Sequence, residues 1–523
     1  MKNLIKKSSL PFLLLAMIMI AWMFCVITLA VQWKYSIAND SYQYTAPFAF
    51  HSDVFHFPLP MMDGFMPFSG SWGVQWPLLM QIKSVFYAFV PFSLWAEYTL
   101  IFSFALILSI LLYKYHTCNG GNKWIGVMIA LAMLFDRAML HKMQLGRSEV
   151  IVALLFLWIV IKADQNTISK KVILQKALPY ILLPTLHPLG FMVAFGLSII
   201  QLIFAPVVFQ NSSTNERRVS RLLPITSFLI GLVLLAMYFT LQPDALEQLM
   251  INMKVQSEIY NTASRFTYFQ YYLAEYPFGL GYLIHGLGFL IAFQCIFKVA
   301  KIVLFQKEPS PIKASTILSS SIVIAMPIIG FIFRTDNYFH FVIAAPVSLF
   351  LVSQYLISRK VWRFIWIYQS AVIVLLLFFV LSNALVPTLR FYNFLKAGMP
   401  NYHLERCAIL ESYKSARRIY VPPNMWAEAG EVIPEKAVSY KFPMPMLKEI
   451  RQQYEEYIYD DVQKGDILIV ELNAIRAEDR FGENPIRTFT PPNQNEWKFL
   501  QRYQKMIPGR VVTGWNLMVY EKL

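Results

Sequence analysis

The chain has 523 residues, of which 57% are hydrophobic and 15% charged, against roughly 45–50% and 25% in ordinary soluble domains. It carries 46 Lys+Arg against 31 Asp+Glu, a formal net charge of +15, and its mean hydropathy is +0.47. The apolar excess is gathered into long runs, which excludes a soluble globular enzyme, a disordered chain and a disulfide-stapled secreted scaffold.

The first run, Pro11–Trp33, follows Lys2, Lys6 and Lys7. It exceeds the roughly 20 residues that cross a bilayer. It is longer than the apolar core of a signal peptide and lacks an A-x-A-like site, so it predicts an uncleaved span with a cytoplasmic N-terminus. An aromatic loop rich in Gly and Pro follows over 34–77. The stretch 78–94 is apolar but carries Gln81 and Lys83 and is broken by Pro91, which predicts an interfacial helix. Further spans are expected near 99–113, 124–137, 149–163, 174–187, 189–209, 222–240, 278–300, 314–333, 338–357 and 362–387, about eleven in all.

With that count, the loops expected inside hold about 19 Lys and Arg and those expected outside about 8, the bias of the positive-inside rule. The basic pI therefore reads as topology and lipid headgroups rather than nucleic acid. After Pro387 the composition turns mixed. Strand-like runs at 418–421, 467–470 and 517–520 and helical runs at 446–459 and 496–505 predict a small α/β domain over 388–523. An odd number of spans puts it outside. The expected fold class is mainly α: a polytopic transmembrane bundle over 1–387 with a small C-terminal extracytoplasmic α/β domain. Cys25, Cys118, Cys295 and Cys407 sit in unrelated settings without a CxxC, so their spacing suggests neither a disulfide framework nor a thiolate metal site.

The outward-facing polar residues are the candidate chemistry, because ionisable groups at a membrane edge are expensive to keep. Asp40 comes about one helical turn after the first span and is followed by Ser41 and Tyr42; it reads as a reactive carboxylate or as a helix cap. The segment Asp136–Glu149 breaks the charge bias with Arg137, Lys142 and Arg147. Such cations suit an anionic ligand such as a phosphate and equally suit lipid headgroups. Glu149 opens a span, where the helix N-terminus favours its ionised form. His187 lies in a turn between two spans as a ligand contact or a packed cap. Arg265 stands among aromatics, and Arg334, Tyr338 and His340 surround the opening of another span. Glycosyl transfer from a lipid-phosphate donor would use these groups together: a carboxylate to deprotonate the acceptor, cations on the leaving phosphate, and aromatics against sugar rings.

The order of these motifs resembles the GT-C glycosyltransferases that use polyprenyl-phosphate sugars, in particular the aminoarabinose-transferase and protein-mannosyltransferase-like branch. Asp40-Ser41-Tyr42 is similar to its acidic motif after the first span, and Trp76-Pro77-Leu78-Leu79 to its Pro-Pro-Leu motif, with Trp for the first Pro. Gly146-Arg147-Ser148-Glu149 resembles its Arg-Pro-acid motif, with Ser for Pro. His187-Pro188-Leu189-Gly190 resembles its His/Lys-Pro-x-Gly turn. Asn337-Tyr338-Phe339 with Pro346 resembles its late Arg-Tyr-Leu…Pro span, with Asn for Arg and Arg334 nearby as a substitute.

The resemblance implies an inverting membrane glycosyltransferase. Asp40 becomes the catalytic base or a metal-associated acid, and Glu149 the second acid. Tyr42, Arg147, His187, Arg265, Arg334, Tyr338 and His340 become substrate contacts. A divalent metal, with Asp40 and Glu149 as possible ligands, stays open. The implied partners are a polyprenyl-phosphate sugar donor, a lipid, glycan or protein acceptor, and membrane lipids, with no nucleic acid. The implied location is a bacterial inner membrane. A lipid-linked polysaccharide polymerase or ligase is an alternative, though it usually lacks the α/β domain. A transporter is another, with Pro184, Gly231 and Pro327 as its candidate helix breaks.

Overall fold

The computed structural model describes residues 9–32, 77–87, 89–91, 93–144, 149–165, 169–208, 213–241, 280–305, 313–333, 337–357, 365–422, 425–433, 435–439, 462–471, 497–505 and 515–523. Each of the eleven expected spans is a helix: α1 (Ser9–Gln32), α3 (Leu94–Cys118), α4 (Lys123–Leu134), α6 (Glu149–Lys162), α7 (Lys170–Leu186), α8 (Pro188–Val208), α9 (Thr214–Leu241), α10 (Leu280–Phe305), α11 (Ala314–Phe333), α12 (Asn337–Ile357) and α13 (Ile365–Lys396). Short helices α2 (Pro77–Tyr87) and α5 (Arg137–Gln144) lie between them, and α14 (Tyr402–Ser412) and α15 (Trp426–Val432) follow. Among the described residues, five helices carry a segment long and apolar enough to cross a membrane: α1, α3, α9, α10 and α13.

The burial pattern is that of a protein whose outer solvent is lipid. Leu10, Met17, Ile20 and Phe24 of α1 are exposed, as are Ile230, Val233 and Met237 of α9 and Phe378 and Leu381 of α13. The interior is also apolar, with Phe102, Phe156, Val347, Phe350 and Phe379 fully buried. When both faces of a helix are apolar, lipid tails are as good a solvent as the core, so close packing decides how helices associate. Gly231 shows the effect: a Cβ there would stand 2.5 Å from the backbone oxygen of Ile181. The glycine is what lets α9 lie against α7. Neither Gly231 nor Pro184 interrupts its helix, so what sequence offered as transporter-like breaks are packing features here. The chain is an integral membrane protein.

The side-chain contacts define two ends of the bundle. α1 and α3 run antiparallel, with Phe12 against Tyr113 and Trp22 edge-on to Phe102, ring centroids 5.7 and 5.6 Å apart. At one end, His116 of α3 meets Ser353 of α12 at 2.9 Å, and Gln354 bridges Tyr115 and Ser315. There Asp164, just past α6, accepts the Ser315 backbone N–H at 2.9 Å, satisfying an amide at the start of α11. At the other end Leu29 of α1 and Phe394 of α13 enter the apolar core of the C-terminal sheet.

That sheet has the order β2-β1-β3-β5-β4, with β1 (Ile419–Val421), β2 (Ala437–Ser439), β3 (Ile467–Glu471), β4 (Trp497–Lys505) and β5 (Trp515–Lys522). β1 is parallel to β2 and β3, and β5 is antiparallel to β3 and β4. The helical run expected over 496–505 is instead strand β4. It is an edge strand with charged side chains, and a register shift between Phe499 and Gln501 breaks its period-2 pattern, so alternation cannot announce it. The helix expected over 446–459 lies outside the described residues.

α13 continues past Pro387, where composition alone ends it, to Lys396. The Met399 N–H reaches the Phe394 oxygen and the Gly398 N–H the Leu395 oxygen, both at 3.0 Å. This is a Schellman termination, and Gly398 supplies the positive φ of 78° that it requires. Asn401 then caps α14 through the Leu404 amide at 3.1 Å. The sheet is therefore tied to the bundle by a defined turn.

Candidate functional site

Three buried carboxylates gather at the sheet-bearing end. Glu149 is the first residue of α6 and 1% exposed. A carboxylate there faces the positive end of the helix. Opposite it, the His187 Nε2 lies 3.9 Å from Glu149 Oε1. His187 occupies the joint between α7 and α8, where its Nδ1 accepts the Leu189 N–H at 3.0 Å. The other ring nitrogen then carries the proton in the neutral ring. Gly190 completes this joint: a Cβ would stand 2.7 Å from the Leu183 oxygen, so the tight α7–α8 turn that aims His187 tolerates only glycine.

Asp136, fully buried, caps α5 by accepting the Met139 N–H at 2.9 Å with one oxygen. Its other oxygen meets His285 Nε2 of α10 at 3.0 Å. The segment 136–149 thus contains helix α5, which packs against α3, α6 and α12. Counted from Lys123 at the opposite end, α4 rises only about 18 Å; α6 measures about 21 Å. Both fall short of a roughly 30 Å hydrocarbon core. Asp136 and Glu149 stand at the ends of these short helices, buried within the bundle.

The third carboxylate is Glu97 in the first turn of α3, which begins at the Ser93 cap. It takes Lys83 Nζ on one oxygen and the Tyr87 hydroxyl on the other, each at 2.5 Å. Lys83 and Glu97 are almost completely buried, so Lys83 points into the protein rather than toward headgroups. Burial raises the pKa of the Tyr87 phenol far above its usual range, and the Glu97 charge raises it further; Tyr87 remains a donor. These groups anchor α2 on α3, with α2 also packed on α7.

Of the site residues expected from sequence, the structure brings Glu149 and His187 together. Tyr338 and His340 lie in the first turn of α12, at the sheet-bearing end. Asp40, Tyr42, Arg147, Arg265 and Arg334 lie outside the described residues. Sequence reasoning gave no role to Asp136, His285, Lys83 or Glu97. The available signal was a histidine or acid inside an otherwise apolar stretch. As a metal site, the Glu149–His187 pair fits poorly, because the nitrogen facing the carboxylate is the protonated one and serves as a donor rather than a ligand.

No protein-family model matches the sequence, and no curated protein does. The structure is similar to the crystal structure of ArnT from Cupriavidus metallidurans in the apo state. The TM-score is 0.52 at 10% identity, covering 96% of this chain and 97% of that one. The chain shares its overall fold with that structure.

Proposed function

We propose that this protein is a membrane glycosyltransferase that moves a sugar from a polyprenyl-phosphate-linked donor to a lipid, glycan or protein acceptor. The reaction is placed on the outer face of a bacterial inner membrane, with the N-terminus cytoplasmic and residues 388–523 forming an extracytoplasmic domain over the reacting groups. The observation that carries the reading is the Glu149–His187 pair, a buried carboxylate and an aimed N–H, in a fold shared with the ArnT structure over 96% of the chain.

In the proposed reaction a carboxylate takes the proton of the acceptor hydroxyl or amine while the acceptor atom attacks the anomeric carbon. The bond from that carbon to the phosphate oxygen breaks, and its electron pair leaves with the prenyl phosphate. Attack from the face opposite the leaving group inverts the centre. Asp40 is assigned as the base. Glu149 and His187 hold and orient the acceptor, one accepting and one donating a hydrogen bond. Arg147, Arg265 and Arg334 neutralise the phosphate as negative charge collects on it. Tyr42, Tyr338 and His340 contact the substrates. If a divalent metal takes part, Asp40 and Glu149 would hold it and it would polarise the phosphate.

The test incubates purified protein with radiolabelled polyprenyl-phosphate sugars and envelope acceptors. Transfer that is lost in Asp40→Asn and lowered in Glu149→Gln supports the reading. Sugar flux into sealed proteoliposomes without transfer replaces it with transport.

A further inference from the structure

The tail holds a cluster that glycosyl transfer does not use. His403 and Cys407 stand four residues apart on α14 and so share one face. Glu428 and Glu431, three apart on α15, face them, and the two helices pack together. His403 Nε2 lies 2.9 Å from Glu431 Oε2 and 3.9 Å from Cys407 Sγ. One ligand atom each from His403, Cys407 and Glu431 falls within 4.8 Å of the others. The remaining ring nitrogen, Nδ1, lies 3.3 Å from Oε1 of fully buried Glu428.

We propose that His403, Cys407 and Glu431 form a binding site for a divalent, borderline-soft cation, zinc above others. An imidazole, a thiolate and a carboxylate are the donor set of such an ion. With zinc bonds of about 2.0–2.3 Å, tetrahedral ligands stand about 3.3–3.6 Å apart. The observed 2.9 and 3.9 Å bracket that spacing, so small side-chain shifts suffice. Glu428 on Nδ1 is the carboxylate that fixes the tautomer and aims the other nitrogen at a metal. An ion-paired histidine has no need of Cys407, whereas a metal does. None of the four cysteines is in a disulfide, so the Cys407 sulfur keeps its capacity as a ligand.

The site has a structural consequence. The second oxygen of Glu431, Oε1, accepts the Leu94 N–H at 2.9 Å, and Leu94 opens α3. A cation on Oε2 therefore clamps α14 to α15 and, through Glu431, fastens the sheet to the bundle where α3 begins. The inference stands apart from the proposed glycosyl transfer.

The experiment uses the full chain in detergent, stripped with a chelator and then given ZnCl2 or CoCl2. Expected are about one tightly held zinc per chain and a cobalt spectrum showing tetrahedral ligand-field bands with a thiolate-to-cobalt charge-transfer band. Cys407→Ser abolishes that band, and His403→Ala lowers zinc affinity at least ten-fold. Wild-type protein whose cobalt spectrum lacks the thiolate band overturns the proposal without reference to any variant. So does zinc uptake equal in wild type and in the His403→Ala/Cys407→Ser double variant, which would mark ions bound elsewhere.

Discussion

His187 presents a protonated Nε2 to the buried Glu149 carboxylate across 3.9 Å because its Nδ1 is already committed to the Leu189 amide. That gap is too wide for a direct hydrogen bond. It suits an oxygen held by both groups, donating to Glu149 and accepting from His187. The arrangement depends on the joint between α7 and α8, where Gly190 allows the chain to pass the Leu183 oxygen. Packing of α7 against α8 thus fixes the direction of one imidazole.

His187→Ala removes one hydrogen bond to the acceptor and should lower turnover about ten-fold, the size of one such bond. His187→Gln, which restores a donor, should recover part of the loss. Gly190→Ala should resemble His187→Ala in activity while also lowering thermal stability, since its Cβ meets a backbone oxygen. Full turnover in both alanine variants would remove the pair from the site.

The Lys83–Glu97 pair makes a stability prediction. Lys83→Met leaves the Glu97 charge in the interior without its cation, which costs about 3–5 kcal/mol. The apparent unfolding temperature in detergent should drop clearly. Lys83→Met combined with Glu97→Gln should regain most of it, because no charge then remains buried. A single variant as stable as wild type would place Glu97 in contact with water.

The spans were legible because each is a long apolar run with little else it can be. Their partners were not. Lys83 and Glu97 lie 14 residues apart, and Asp136 and His285 lie 149 apart. Such pairs arise from the way helices meet and leave no local period. α5 is eight residues long and polar, so no hydropathy run marks it. The His403–Cys407 spacing was visible but meant little until α15 brought its carboxylates across. Glu149 was legible because a helix start favours an acid, and His187 because a polar turn between two apolar runs stands out.

Sidedness is tested with the native cysteines. Cys118 ends α3 at the end opposite the sheet and is exposed, and Cys407 lies on α14 beside the sheet. In intact cells an impermeant thiol reagent should spare Cys118. It should modify Cys407 once the tail is loosened by chelator and mild denaturant. Labelling of Cys118 alone would invert the orientation.

The last prediction concerns the base. Asp40 follows α1 in the sequence, and the last turn of α1 reaches the sheet through Leu29, at the end of the bundle that holds Glu149. Asp40→Asn keeps the shape of the side chain and removes its capacity to take a proton. A positioned general base contributes about 10²–10⁴-fold, so turnover should fall by at least about 100-fold while donor binding survives. Glu149→Gln still accepts a hydrogen bond through its amide oxygen, so a purely orienting role predicts a smaller loss with a raised acceptor KM. The pH profiles separate the roles further. If Asp40 is the base, the acidic limb of kcat/KM vanishes in Asp40→Asn and persists in Glu149→Gln. Should the limb vanish in Glu149→Gln instead, the two assignments are exchanged and Glu149 is the base.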